Sequence, residues 1–102
     1  MFICKIKGLK ASGHFTLTGF VILKGSQAVL KERASACQYS YVLTSRKKLI
    51  ENGTLVKNGE HLVFNCDSEF SSPSAAASVL HGGTANGLLA WKTQDGKTLK
   101  EF

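Results

Sequence analysis

The chain has 102 residues, of which 43% are hydrophobic and 20% charged, so its length is that of one domain and its composition is typical of a soluble globular protein. No apolar run approaches the roughly 18 residues that a membrane-spanning helix needs, which excludes a membrane-spanning protein. The net charge is +6 and the sequence pI is about 9.4, values typical of small proteins that contact a polyanion such as nucleic acid.

The basic charge is concentrated at the start of the chain, where residues 1–31 contain five Lys and no acidic residue. This bias favours a polyanionic partner, although a basic surface that only keeps the protein soluble is an open alternative. Lys5 and Lys7 also interrupt what would have to be the apolar core of a signal peptide. We therefore expect a cytoplasmic protein.

The cysteines are Cys4, Cys37 and Cys66, whose odd number and wide spacing fit neither a disulfide framework nor the close pairs of a zinc site. Cys4 and Cys66 alternate with apolar residues, which predicts that both thiols lie on the apolar faces of strands. Free thiols agree with a reducing cytoplasm. The sequence predicts no metal site and no cofactor.

Strands dominate the predicted structure of the first thirty or so residues. Residues 2–7 alternate apolar side chains with Lys, which predicts a half-buried strand at a sheet edge. Residues 8–13 are predicted as a turn region. The wholly apolar residues 20–23 predict a central strand buried on both faces, and residues 27–30 are predicted to return as its hairpin partner.

A first helix is predicted from Gln38 to the stop signal at residues 52–53. Its polar face is expected to carry Arg46, Lys47 and Lys48. The side chains that recur at helical spacing are Tyr39, Val42, Leu43, Arg46, Leu49 and Ile50.

A strand is predicted over residues 61–67, and a second helix follows it over residues 73–81. Ser72 is placed to accept hydrogen bonds from the first helical turn, and Pro73 at the first helical position costs no hydrogen bond. Gly82 can adopt the left-handed conformation that commonly ends a helix.

The chain is predicted to close with a hairpin in which residues 88–92 and 97–102 flank the turn at residues 95–96. Together these elements predict a single α+β domain: a small antiparallel-rich sheet covered by two short helices.

No catalytic residue is predicted, and we expect that the protein is not an enzyme. His14, His61 and His81 each have a structural role available, although a Cys–His pair formed in the folded chain stays open because sequence spacing does not report proximity. The Gly-rich residues 82–87 follow a helix, whereas a phosphate-binding loop precedes one.

Two alternatives are open at the start of the second helix. The hydroxyls of Ser71, Ser72 and Ser74 lie beside free backbone N–H groups and the positive end of the helix dipole, which is a suitable place for a backbone phosphate. The simpler interpretation is that Ser72 only caps the helix and contributes about 1 kcal/mol to stability.

Trp91 also has two possible roles. Exposed beside Lys92, its ring would stack on a nucleic-acid base, whereas a Trp among apolar neighbours is usually a core residue. We favour the core. The Arg46–Lys47–Lys48 group is in the simplest case a solvated helix face, and it is also the first surface to consider for phosphate contacts.

Several motifs recur in one known family. They are Phe-Ser-Ser-Pro-Ser-Ala-Ala-Ala at residues 70–77, Asn-Gly at 86–87, Trp-Lys at 91–92 and Asp-Gly-x-Thr-Leu at 95–99. With them, the chain resembles the domain of unknown function 4357 family.

Residues 19–26 and residues 46–55, which end in Leu-Ile-x-x-Gly-x-Leu, extend the resemblance to about residues 13–102. The signature residues within it are Gly25, Ser26, Pro73, Ala76, Asn86, Gly87 and Trp91.

Domains of this family are often appended to GIY-YIG nucleases and restriction-system proteins, and they are similar to a restriction-associated module thought to bind modified DNA. The resemblance therefore implies a small, non-catalytic accessory domain that contacts DNA in a restriction, nuclease or DNA-modification context. The residues expected to contact nucleic acid are Arg46, Lys47, Lys48, Ser72, Ser74 and Lys92.

The alternative is a protein-interaction module that docks onto a nuclease or restriction partner without touching nucleic acid. An exposed apolar patch at Leu88 and Leu89 would favour this second function.

Overall fold

The fold is an α+β arrangement in which strands form two antiparallel sheets around a buried helix. The computed structural model describes residues 1–31, 40–83 and 85–101. The predictions for residues 37–39 and for Phe102 lie outside these ranges.

Four strands in the order β1-β2-β3-β7 form the first sheet, sheet A. They are β1 (Phe2–Ile6), β2 (Leu9–Phe15), β3 (Phe20–Ile22) and β7 (Ser68–Phe70). The predicted turn over residues 8–13 is wrong, because β2 runs through most of it. Lys7 and Gly8, with φ angles of 47° and 83°, make the turn alone, and two positive φ angles are typical of a two-residue hairpin loop.

Sheet B contains three strands in the order β4-β6-β5. They are β4 (Gln27–Val29), β5 (Leu55–Asn58) and β6 (His61–Phe64). The predicted pairing of residues 27–30 with the central strand is wrong, since β4 pairs with β6. The Gly25 N–H donates to the Phe64 carbonyl, and the Phe64 N–H donates to the Ser26 carbonyl, so the chain crosses to sheet B at this turn.

The strand predicted over residues 61–67 is shorter than expected. It ends at Phe64, and a new strand, β7, begins at Ser68 in the other sheet. Cys66 lies in the connection and is exposed, so its predicted place on an apolar strand face is wrong. Cys4 is buried on the inner face of β1, as predicted.

Both predicted helices are present: α1 (Ser40–Glu51) and α2 (Pro73–His81). A third helix, α3 (Gly87–Ala90), replaces the first arm of the predicted C-terminal hairpin. The Asn86 side chain starts it by accepting from the Leu88 N–H. The second arm forms a 3-10 helix (Leu99–Glu101), so the hairpin is reduced to a bridge between Lys92 and Thr98.

Helix α2 lies at the centre of the fold, in contact with α1, α3, β3, β4 and β7. Five consecutive residues of the helix are buried: Ala76, Ala77, Ser78, Val79 and Leu80. Neighbours therefore cover every side of it, and the two Ala side chains allow a close approach. Its predicted ends are confirmed, with Ser72 at the N-terminus and Gly82 at the C-terminus (φ 68°). No helix in the described part of the chain is both long and apolar enough to cross a membrane.

Arg46 is not on the exposed face of α1, and that prediction is wrong. Its side chain is 1% exposed, and its guanidinium donates to the backbone carbonyls of Val79 in α2 and of Val29 and Leu30 at the end of β4. One helical turn separates it from Val42, which is also buried. Lys47 and Lys48 are exposed, as expected.

We expect that Arg46→Met lowers the free energy of unfolding by about 2–4 kcal/mol, because Met fills a similar volume but leaves buried carbonyl groups without their donors. Lys47→Met, on the exposed face of the same helix, should change it by less than about 0.5 kcal/mol. Urea unfolding of both variants measures the difference. Equal small effects would show that the guanidinium hydrogen bonds do not hold α1 in place.

Candidate nucleic-acid interface

The serine hydroxyls at the start of α2 have hydrogen-bond partners within the protein. The Ala75 N–H donates to Ser72 Oγ (3.1 Å), and the Gly87 N–H donates to Ser74 Oγ (2.9 Å). A Cβ on Gly87 would lie only 2.4 Å from the carbonyl carbon of Pro73 and from the nitrogen of Ser74. Because α3 approaches this closely, both predicted serines bond within the fold, and their contact with a phosphate stays a prediction.

Trp91 is a core residue, as favoured from the sequence. It is fully buried, its Nε1–H donates to the Pro73 carbonyl (3.0 Å), and its ring lies 4.7 Å from that of Phe20 between centroids. It is therefore inaccessible to a base. The next residue, Lys92, is exposed.

The remaining signature residues also have roles in the fold. Gly25 has a φ of 90°, which favours glycine. The Ser12 N–H donates to Ser26 Oγ (3.0 Å), and this hydroxyl donates to the Ser12 carbonyl (3.3 Å). Ser26 thus completes the edge of β2 beyond the end of β3. Ala76 is buried, and Asn86 caps α3.

Exposed lysines cluster on the outer face of sheet A. The strand register places Lys5 of β1 directly opposite Lys10 of β2. The N–H and C=O of Ile3 both bond to Lys92, on the side away from β2, and backbone groups alternate in direction along a strand. Lys5 and Lys10 therefore form a non-hydrogen-bonded pair, in which Cα atoms are only about 4.5 Å apart and side chains are closest.

Two further lysines extend this pair across the sheet. Lys92 pairs with Ile3 on the edge of β1 and lines the same pocket as Lys5. Lys24 lines a second cavity together with Lys10. We call Lys92, Lys5, Lys10 and Lys24 the lysine row. Among the described residues, no carboxylate forms an ion pair with the row, although Asp67 accepts from the backbone N–H of Lys24 (2.7 Å).

The predicted contact residues are not brought together. Lys47 and Lys48 lie on α1, which packs against α2 and β5, whereas Lys92 lies on the edge of sheet A. Lys5, Lys10 and Lys24 were not among the predicted site residues. The run of lysines without acidic residues in residues 1–31 was the available signal, but the misplaced turn concealed the Lys5–Lys10 register.

A pocket of about 370 Å³ lies beside the lysine row, between the edge of β1, the end of α2, α3 and the turn at residues 92–96. Cys4 and His81 lie in its lining, with Cys4 Sγ 3.9 Å from His81 Nε2. Burial raises the pKa of the Cys4 thiol from 9.0 to about 11, although the charge of Lys92 opposes this increase. The thiol is therefore protonated at neutral pH, which disfavours a role as nucleophile.

The described residues contain no group of three or more His, Cys, Asp or Glu side chains that could hold a metal ion. The histidines have different surroundings: His14 contacts the Phe15 carbonyl, and His61 contacts the Gln27 amide.

Helix α3 exposes two large apolar side chains. Leu88 is 49% exposed and Leu89 is 51% exposed. Both are adjacent in the sequence, and Leu89 also borders the pocket. This patch has the position that the protein-interaction alternative predicted.

The comparisons with known proteins identify a family but no individual relative. The family model described as "Domain of unknown function (DUF4357)" matches residues 2–102. No curated protein and no solved structure matches the chain.

We expect the stability of the protein to decrease as the pH rises from 9 to 11, because the folded state keeps the Cys4 proton that the unfolded state loses above its ordinary pKa of 9.0. This contribution is fully present below pH 9 and amounts to about 3 kcal/mol. Urea unfolding of the unaltered protein and of Cys4→Ser at several pH values separates the contribution of Cys4 from that of the titrating lysines. If the difference in free energy of unfolding between these two proteins does not change with pH, the raised pKa of Cys4 is contradicted.

Proposed function

We propose that this chain, which belongs to the DUF4357 family, is a non-catalytic accessory domain that contacts DNA through the lysine row. The observation that carries the proposal is the grouping of four exposed lysines at sheet A: Lys5 lies directly opposite Lys10, Lys92 lines a pocket with Lys5, and Lys24 lines a cavity with Lys10. Phosphate contacts of this kind give affinity without sequence specificity.

The Lys5–Lys10 pair supports a ligand because it has a cost in the free protein. Like charges at directly opposite strand positions destabilise a sheet by a few tenths to about 1 kcal/mol. A phosphate bound between the two ammonium groups would remove that repulsion. Arg46 differs from this pair, because three backbone carbonyls of the protein already accept hydrogen bonds from its guanidinium.

The dimensions of the row suit a phosphate backbone. Neighbouring strands lie about 4.8 Å apart, so four lysines on successive chain segments span roughly 10–15 Å. Measured along the helix axis, at about 3.4 Å per nucleotide, this length corresponds to about three or four phosphates of one duplex strand. The row therefore contacts several phosphates at once.

The biological context in the proposal comes from the family resemblance. It is a cytoplasmic restriction, nuclease or DNA-modification system, in which the domain would hold a catalytic partner on DNA. A basic, sequence-independent contact is suited to that task because it adds affinity without imposing a second target sequence.

We expect binding to labelled DNA to weaken with salt at a log–log slope of about −3 to −4, as four phosphate contacts predict. Replacing Lys5, Lys10, Lys24 and Lys92 by Gln should abolish most of this slope. The control replaces Lys31, Lys47, Lys48 and Lys57, which are exposed elsewhere, and lowers the net charge by the same amount. Fluorescence anisotropy across a salt series measures both.

Equal losses in the two variants would show that only the net charge matters and would contradict a site at the lysine row. An absence of binding to duplex and single-stranded DNA at low salt would contradict the function itself.

The exposed Leu88 and Leu89 favour a second candidate function, docking onto a nuclease or restriction protein. This patch lies on α3 beside the pocket, so a partner bound there would leave Lys10 and Lys24 accessible.

For this second function, we expect the Leu88→Asp/Leu89→Asp variant to lose a nuclease or restriction protein that the unchanged domain co-purifies from a DNase-treated extract. Ile50→Asp is the matched control, because Ile50 is 48% exposed on α1. Mass spectrometry identifies the retained proteins. Retention of the same nuclease by both variants would exclude the α3 patch as its docking site.

A further inference from the structure

We propose that the pocket beside the lysine row binds one unpaired nucleobase, so that the domain prefers single-stranded or locally opened DNA to intact duplex. The inference rests on the proposed function and specifies which form of DNA the same surface binds. It is carried by the walls of the pocket, its charged rim and an open strand edge inside it.

The walls and rim of the pocket differ in chemistry. Ile3, Leu89 and Ala90 contribute apolar surface, whereas Lys5 and Lys92 belong to the lysine row and also line the pocket. A ligand that fits has an apolar, planar body and an adjacent negative charge. A nucleotide has both, and its phosphate would lie on the row while its base enters the pocket.

The open strand edge supplies hydrogen-bonding groups for the base. Ile3 directs its N–H and C=O to the outer edge of β1, where Lys92 pairs with both. Two residues later, strand periodicity directs the N–H and C=O of Lys5 to the same edge. Within the part of the chain that the structure describes, no backbone group bonds to them. Because Lys5 lines the pocket, this donor–acceptor pair is available to the edge of a base.

The volume of the pocket also favours a single nucleotide. About 370 Å³ is near the lower end of the range for small-molecule sites, which is roughly 300–1,000 Å³. A base inside a duplex is stacked and paired, so only an unpaired or extruded base presents its edge to such a pocket.

An extended peptide is the competing ligand, because peptides add to open strand edges. Strand addition uses several successive backbone pairs, whereas the bridge at Lys92 already occupies Ile3 and leaves Lys5 as the open pair before the hairpin turn at Lys7. The positive rim also favours an anionic ligand. Both observations favour the nucleotide.

The first test compares two single-stranded oligonucleotides of the same length, one with bases and one abasic. Both carry the same number of phosphates, so the lysine row contributes equally to their binding. We expect the abasic strand to bind about tenfold more weakly, the factor of one good base contact. Anisotropy at constant salt measures the ratio.

A pocket-filling variant, Ala90→Leu, should remove this ratio by weakening only the strand that carries bases. Thr44→Leu, which adds apolar bulk to the exposed face of α1, should preserve it. Circular dichroism and thermal unfolding of both variants verify the fold. If Ala90→Leu does not fold, the NMR test below on the unaltered protein decides.

The second test follows the Lys5 amide in ¹⁵N NMR spectra while deoxynucleoside 5′-monophosphates are added. We expect a shift that depends on the base and that deoxyribose 5-phosphate does not reproduce. Equal shifts with both ligands would show that only phosphate binds, and a shift with extended peptides but not with nucleotides would show strand addition.

The outcomes separate this inference from the proposed function. Equal affinity for the intact and abasic strands overturns the base pocket but leaves the phosphate contact by the lysine row. If the unaltered protein binds no oligonucleotide and the Lys5 amide shows no base-dependent shift, both the base pocket and the proposed function are overturned.

Discussion

The burial of α2 on every side is the constraint on which the rest of the structure depends. The polar groups along its buried residues, 76–80, must be satisfied by protein, because water does not reach them. Arg46 donates to the Val79 carbonyl, the Ala85 N–H donates to Ser78 Oγ, and Trp91 donates to the Pro73 carbonyl. Three separate segments are therefore held against one helix of nine residues.

The same constraint positions the candidate site. Burial of Trp91 against α2 directs the following residue outwards, so Lys92 bonds to Ile3 and extends sheet A by one bridge. The bridge closes the edge of β1 at Ile3 but leaves it open at Lys5, and the pocket forms in the resulting gap. The position of Lys92 in the lysine row and the pocket beside it are thus consequences of how the C-terminal segment packs.

Local sequence signals correctly predicted the ends of α2, whereas the features that depend on packing between distant segments were predicted wrongly or not at all. Ser72, Pro73 and Gly82 specify the ends of α2 through their own backbone chemistry, and the structure confirms them. Because Arg is a charged residue, Arg46 was predicted to be exposed. The carbonyls that surround its guanidinium come from α2 and from the end of β4, and no local sequence pattern reveals that these segments meet α1. The Lys7–Gly8 turn lacks the usual Asn-Gly or Asp-Gly pair, so the register that opposes Lys5 and Lys10 was not predicted. That register is the basis of the candidate site.

The contrast between Arg46 and the lysine row gives a physical criterion for assigning charge to function in this fold. The fold uses the Arg46 charge, since it satisfies carbonyls that burial would otherwise leave without donors. The Lys5–Lys10 pair does the opposite, because it sets like charges at the closest strand positions with no described carboxylate in an ion pair with either. Sequences tend to depart from structural consistency at functional sites. The cations that the fold does not need are therefore the ones that we propose to assign to a ligand, a phosphate backbone.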